Sequence, residues 1–299
     1  MNEERTPPEN DGVQRPLPHV VPFTVGDFKI TAISDGYLAL TSDVLQGVSA
    51  EEYAQLLRQA HFPKPEYTGG VAVFLIEGGG RKLLVDAGTG TVMGPTLGRL
   101  EDNLRWMGVD PSSVDALLAT HLHPDHIGGL AGPDGHPFAN AELLVNEADL
   151  AFWTDPEAKT GAPADVQPFL DLAVGAVASF GDRVTRFDGE SEVVPGITAV
   201  PLPGHTPGHT GYRIESEGET VLMWGDIIHA APIQLPRPDV TIAFDIDPAA
   251  AAATRARVLD QVVADELRVL GSHMPFPAFG RIEREQSGYR FVPVHWQYD

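Results

Sequence analysis

His121-Leu122-His123-Pro124-Asp125-His126 packs three imidazoles and a carboxylate into six residues. Polar groups crowded in this way need partners, because a buried charge must be paired or bound to a metal. In front of the stretch, Val114 to Thr120 reads as a buried strand. Behind it, Ile127-Gly128-Gly129-Leu130 reads as a tight turn. Pro124 lacks an N–H and biases the residue before it toward extended backbone, so neither a strand ladder nor a helix runs through it. The cluster is therefore expected on a loop at the end of a strand. His121 and His123, two apart on extended chain, point the same way. Asp125 and His126 follow the bend and aim at a neighbouring point, which suits two metal ions side by side better than one. The alternative, a surface turn that happens to be rich in histidine, leaves the density of metal-ligating imidazoles without a cause.

The chain has 299 residues, enough for one large domain or two small ones. Apolar residues make up 42% and charged residues 21%, the balance of an ordinary globular protein. Lys and Arg number 20 against 42 Asp and Glu, a net charge of −22. That argues against nucleic acid or an anionic membrane as partner, since both need a basic surface. The absence of cysteine excludes disulfides, thiolate ligands and cysteine nucleophiles. No apolar run approaches the roughly 20 residues of a membrane span. The start, Met1 to Pro8, lacks the basic and apolar regions of a signal peptide, so a cytoplasmic location is expected.

Residues 1–18 are polar and Pro-rich and are expected to be a flexible tail, leaving 19–299 as a single catalytic domain. Strands are expected at 22–25, 28–33, 71–76, 82–86, 142–145, 184–187, 197–200, 211–214, 220–224, 240–244 and 267–270. Helices are expected at 50–59, behind a Ser49–Glu52 capping box, and at 96–107, 168–180 and 248–259; 147–152 begins another. Residues 154–165 are expected to be a loop. Strand followed by polar loop recurs in each half, which points to a two-layered β structure with outer helices. Four loops at strand ends then deliver His121, His123, Asp125 and His126, then His205, Asp226 and His273. Loops on a rigid scaffold are where sheet proteins keep their chemistry.

With those loops in hand, the sequence resembles the metallo-β-lactamase superfamily. The matching pieces are Asp86 in Val85-Asp86-Ala87-Gly88, the 121–126 stretch, His205, Asp226 and His273, in the family's order. The likeness runs over roughly Thr68 to Val294 and is nearer to the branch of methyl parathion hydrolase and lactonases. The stretches carrying it are Gly94 to Leu100, Gly204 to Thr210, Ser272 to Pro277 and Gly288 to Val294. The resemblance implies an α/β fold, the αββα sandwich: two mixed β-sheets packed face to face with helices outside. It implies that one metal takes His121, His123 and His205 and another takes Asp125, His126 and His273, with Asp226 bridging. Asp86 would orient a ligand imidazole. Five imidazoles and two carboxylates suit zinc, with Mn, Fe or Co as alternatives. A homodimer is also implied.

Such a site holds a hydroxide at neutral pH, able to attack a carbonyl or phosphoryl centre. Asp125 is a candidate proton shuttle. His229, three residues after Asp226, stands where lactone-hydrolysing relatives often carry a tyrosine; it either donates to the substrate carbonyl or lies on the rim. His209 is expected to pack or to support a ligand. Trp153 matches a pocket aromatic of organophosphate-cleaving relatives. Met93 replaces a bulkier phenylalanine of one of them, which weakens the case for organophosphates. Ile242 and Phe244 are expected on one side of a strand, lining the same pocket. The expected function is a dinuclear hydrolase of lactones or aryl esters, with side activity on organophosphate triesters. The alternatives are an organophosphorus hydrolase, or a β-lactamase or thioesterase of the same fold.

Overall fold

Two seven-stranded sheets stack against one another in the computed structural model, which describes residues 19–62, 64–132, 135–162, 164 and 166–294. The expected tail, residues 1–18, lies outside the described residues. The chain opens with β1 (Val20–Val25), β2 (Phe28–Leu40) and the two-residue β3 (Leu45–Gln46), which pairs outside the main sheets. Then come β4 (Tyr67–Gly78), β5 (Arg81–Val85), β6 (Ala116–Leu118), β7 (Glu142–Asn146) and β8 (Val184–Phe187). The first sheet has the order β1-β2-β4-β5-β6-β7-β8, with β5 through β8 parallel. The second half contributes β9 (Ser191–Val194), β10 (Ile197–Pro201), β11 (Thr210–Ser216), β12 (Glu219–Met223), β13 (Thr241–Ile242), β14 (Arg268–Leu270), β15 (Phe279–Arg284) and β16 (Tyr289–Pro293). The second sheet runs β16-β15-β14-β12-β11-β10-β9, with β12 and β14 parallel, while β13 pairs with β3.

The period of two along a strand decides the layering. In β4, Phe74 and Ile76 turn toward the second sheet and join Ile197, Tyr212, Ile214 and Val221 in one buried core. Val73 and Leu75 turn the other way and meet the helices α2 (Leu100–Trp106) and α6 (Gln167–Ala178) through Leu100, Leu104, Leu170 and Ala173. On the far side, α8 (Pro248–Ala264) sends Val258, Leu259 and Val262 into the inter-sheet core. These are the four layers expected of an αββα sandwich.

Local chemistry accounts for most element ends. Ser49 caps α1 (Ala50–Gln59) by accepting from the Glu52 N–H at 3.1 Å, a contact worth about 1 kcal/mol. The expected helix over 96–107 starts only at Leu100, because Asp35 accepts from the amides of Gly98 and Leu100 and holds residues 96–99 as a turn. The expected loop 154–165 contains a helix, α5 (Pro156–Gly161). Asp155 caps it through the Glu157 N–H at 2.8 Å, and Pro156 stands at its first position, where a missing N–H is harmless. The expected strand 240–244 shrinks to β13, since the Asp245 carboxylate takes the Ile242 N–H. Among the described residues, no helix is long and apolar enough to cross a membrane.

Candidate metal centre

The 121–126 stretch leaves the end of β6 and bends into a single helical turn, α3 (Pro124–Ile127), rather than an open loop. Pro124 occupies the first helical position and His123 stays extended, as the proline demands. The turn is held from behind by two buried carboxylates. Asp149, on α4 (Glu147–Trp153), accepts from the Leu122 N–H at 2.8 Å and the Gly208 N–H at 3.0 Å, tying the loops of the two sheets together. Burial pushes its carboxyl up to about 6. Asp86, at φ +64° just after β5, accepts from the Thr120 N–H at 2.8 Å and lies 2.7 Å from His126 Nδ1.

The second sheet supplies the rest. His205 sits between β10 and β11. The parallel register pairs Met223 of β12 with Leu270 of β14, and Asp226 and His273 each follow three residues later, side by side. His209, expected to pack or support, does the latter: its Nδ1 lies 2.9 Å from the Leu202 carbonyl, so Nε2 accepts from the Asp226 N–H at 3.0 Å. Gly225 allows this approach. It stands at φ +56°, and a Cβ there would come within 2.6 Å of His209 Nε2.

All seven side chains singled out in the sequence converge. His121 Nε2 and His205 Nε2 each lie 2.9 Å from His123 Nδ1. Asp226 Oδ2 lies 3.1 Å from His273 Nε2, 3.3 Å from His126 Nε2, 3.4 Å from His205 Nε2 and 3.8 Å from His121 Nε2. Asp125 Oδ2 lies 3.3 Å from His273 Nε2. The ligand atoms fall into three groups that could hold a metal ion: His121, His123 and His205; Asp125, His126, Asp226 and His273; and His205, Asp226 and His229. His229 Nε2 is 3.1 Å from Asp226 Oδ2, and its backbone N–H donates to Gln234 of the short helix α7 (Ala231–Gln234) at 2.7 Å.

The electrostatics of the groups differ. Burial, and then the neighbouring imidazole of His126, hold His121 neutral; burial and His205 do the same for His123. Burial opposes charge on Asp226 too, yet His126, His273 and His229 outweigh it and keep the carboxyl well below its usual range. Burial disfavours the imidazolium of His273, but Asp226 and Asp125 override this and push its pKa up to about 10. The carboxylates thus demand a cation, and without a metal only protons on His126 and His273 can supply it. The donor set fits metal ions. His126 Nε2 and Asp226 Oδ1 are buried with no hydrogen-bond partner, and ring nitrogens of His121, His123 and His205 lie within 4.8 Å of one another.

Sequence reasoning did not find Asp245. Its Oδ1 lies 2.8 Å from His205 Nδ1, the relation that Asp86 has to His126. A single aspartate after a short strand carries no spacing signal. Asp35 was also unmarked; its carboxylate organises the 89–100 loop by accepting four hydrogen bonds, from the Thr89 N–H and hydroxyl and the Gly98 and Leu100 N–H groups.

The expected pocket residues scatter. Trp153 is 2% exposed and sets its ring edge-on to His123 at 5.0 Å between centroids. Met93 is exposed at the surface. Ile242 is fully buried against Leu40, Leu45 and Tyr53, whereas Phe244 is 49% exposed, so the two do not share a lining. The cause is the turn that Asp245 imposes two residues after Ala243. A cavity of about 880 Å³ lies nearby, lined by Tyr37, Tyr67, Gly70, Pro275 and Phe276 among others and by none of those four residues. Its connection to the cluster is Gly70, whose carbonyl lies 2.9 Å from His273 Nδ1.

Comparison with known proteins agrees with this geometry. The model of the metallo-beta-lactamase superfamily matches residues 67–273. An N-acyl homoserine lactonase from a Bacillus species is 28% identical over 119 residues, 40% of this chain and 40% of its own length; the chain thus spans well under half of such curated relatives. Among solved structures, the beta-lactamase-superfamily hydrolase AbOPH superposes with a TM-score of 0.89 at 27% identity, over 95% of this chain and 100% of that one. AidC, a dizinc quorum-quenching lactonase solved with the product N-hexanoyl-L-homoserine, gives a TM-score of 0.88 at 22% identity, over 94% of this chain and 99% of its own, a likeness of fold.

Proposed function

Because this chain belongs to the metallo-beta-lactamase superfamily, we propose that it is a dinuclear-metal hydrolase of lactones or aryl esters. The observation that carries the reading is the convergence of seven buried or half-buried ligating side chains into two adjoining groups, with Asp226 of the second lying 3.4 Å from His205 and 3.8 Å from His121 of the first. His121, His123 and His205 would hold one divalent cation, and Asp125, His126 and His273 the other, with Asp226 between them. The nitrogen-rich donor set favours zinc, with manganese, iron or cobalt as substitutes set by supply. Two such cations supply Lewis acidity and lower the pKa of water into the neutral range.

The chain's own groups do the remaining work. Asp125 is the most exposed of the seven, its side chain 14% open, and so is the ligand placed to pass a proton to the leaving oxygen. His229 sets its Nε2 3.1 Å from Asp226 Oδ2 and keeps a buried Nδ1 without a hydrogen-bond partner, and it would serve as donor to the substrate carbonyl oxygen. Asp86 and Asp245 fix the tautomers of His126 and His205 so that each Nε2 faces inward. The match to N-acyl homoserine lactonases supports a lactone over the other ester classes. Protein loaded separately with zinc and with manganese, and offered a lactone, an aryl ester, an organophosphate triester and a β-lactam, tests the reading. The lactone or aryl ester is expected to be turned over fastest; equal or better rates on the triester or β-lactam would overturn the substrate assignment.

A further inference from the structure

Each of the two main metal-capable groups has one imidazole backed by a buried carboxylate. Asp86 stands behind His126 at 2.7 Å, and Asp245 stands behind His205 at 2.8 Å. The remaining backed ring nitrogens meet neutral partners: His121 Nδ1 meets the Thr120 hydroxyl at 3.0 Å, and His273 Nδ1 meets the Gly70 carbonyl. The symmetry is broken in what lies further out. Asp86 answers to Thr120, a neutral residue. Asp245 answers to the Ile242 N–H and faces Arg255, whose guanidinium is 4.0 Å away and 1% exposed. Arg255 is itself locked by the carbonyls of Ile227, Pro238 and Val240 at 2.7–2.9 Å.

The backbone adds a second grip. The Ile246 N–H donates to the His205 carbonyl and the Asp247 N–H to the Gly204 carbonyl, both at 2.9 Å. The strap 245–247 therefore holds His205 by its ring and by its peptide at once. Asp247 then caps α8 through the Ala250 N–H at 3.0 Å, which fixes the strap to the longest helix. The His121–His123–His205 group needs such a grip more than its neighbour. It contains no carboxylate of its own, whereas the other group contains two. A divalent cation among these three imidazoles would gain the carboxylate of Asp245 through one ring, with the Arg255 guanidinium 4.0 Å behind that carboxylate.

We propose that Asp245 is a positioning residue that governs occupancy of the all-histidine metal position, while Asp86 governs the other, so that the two positions load under separate control. The inference rests on the dinuclear reading above. Its consequence is a protein whose two metals can be removed one at a time by changes that touch neither metal.

The test is competitive chelator titration of zinc, with cobalt substitution to distinguish the positions: three nitrogens and a mixed nitrogen–oxygen set give different visible spectra. Wild type is expected to bind two equivalents; fewer than two would overturn the dinuclear reading and this inference with it. Asp245→Asn keeps an acceptor for the His205 ring but removes the charge. It is expected to weaken one equivalent about 10- to 100-fold and leave the second within about threefold. Asp86→Asn is expected to weaken the opposite equivalent, with the complementary loss in the cobalt spectrum. Because Asp245→Asn leaves Arg255 buried without its counter-charge, Asp245→Asn/Arg255→Met is measured beside it, with circular dichroism and a thermal melt on each. At saturating zinc, turnover of the folded variant is expected to recover. Loss of both equivalents together in a folded variant, no loss in either, or two variants that empty the same position would overturn the proposal.

Discussion

The two sheets contribute to the centre in different ways. The first supplies four candidate ligands from six consecutive residues after β6, two on extended chain and two on the helical turn that follows. The second supplies three from separate loops, after β10, β12 and β14. In the first case proline geometry and strand alternation place the donors. In the second, sheet order does it: β12 and β14 are adjacent and parallel although 44 residues of chain separate Met223 from Arg268, and their common register sets Asp226 beside His273. A contiguous motif is robust to distant changes. A set assembled by register depends on each loop keeping its length and on the backbone contacts that lock it, such as His209 to the Asp226 amide.

That contrast can be broken most decisively at Asp226, the second sheet's candidate ligand that lies near imidazoles of both groups. Asp226→Ala is expected to lose metal and activity together, by more than the roughly 100-fold that loss of an outer partner costs. Metal analysis and lactone hydrolysis on the same preparation check this, and full activity with two metals retained would contradict the bridging role. His229, from the same loop, sharpens the comparison differently. His229→Phe is expected to lower kcat about 100-fold, the scale of one lost oxyanion donor, with metal content unchanged. A rate within twofold of wild type would leave His229 a buried neighbour of Asp226 with no part as donor.

Metal removal probes what joins the two sheets. Free metal at 100 times its dissociation constant adds about 2.7 kcal/mol to folding stability. Chelated protein is therefore expected to melt at lower temperature than zinc-loaded protein, and identical melts would mean that the folded state binds no metal. Smaller effects are expected at glycines, Gly225 first. Its positive φ costs an L-residue about 1–2 kcal/mol, and the added methyl would press on His209. Gly225→Ala is expected to lower stability by at least that amount in urea unfolding. The same change at Gly79, also at positive φ but with open space around it, should cost only the backbone share.

Much of the fold is legible in local pattern. The Ser49 cap, the alternation in β4 and the Glu217-Gly218 hairpin between β11 and β12 each follow from neighbours within a few residues. The departures share a cause. The late start of α2, the truncated β13 and the burial of Ile242 are all imposed by carboxylates, Asp35 and Asp245, acting on amides that they reach by tertiary folding or across a turn. Helix α5 is a different case, since Asp155-Pro156 is a local start signal for it.

The amino-acid order by itself determined the metal-ligating character of this protein, because imidazole spacing on an extended strand end and a proline bend are short-range properties that need no partner to be read. Only the tertiary structure decided which imidazole is backed by which carboxylate, and that Ile242 faces inward while Phe244 faces out. Those outcomes depend on buried charges finding hydrogen bonds from wherever the packed chain brings them, a requirement that binds residues far apart in sequence and leaves no periodic trace along it.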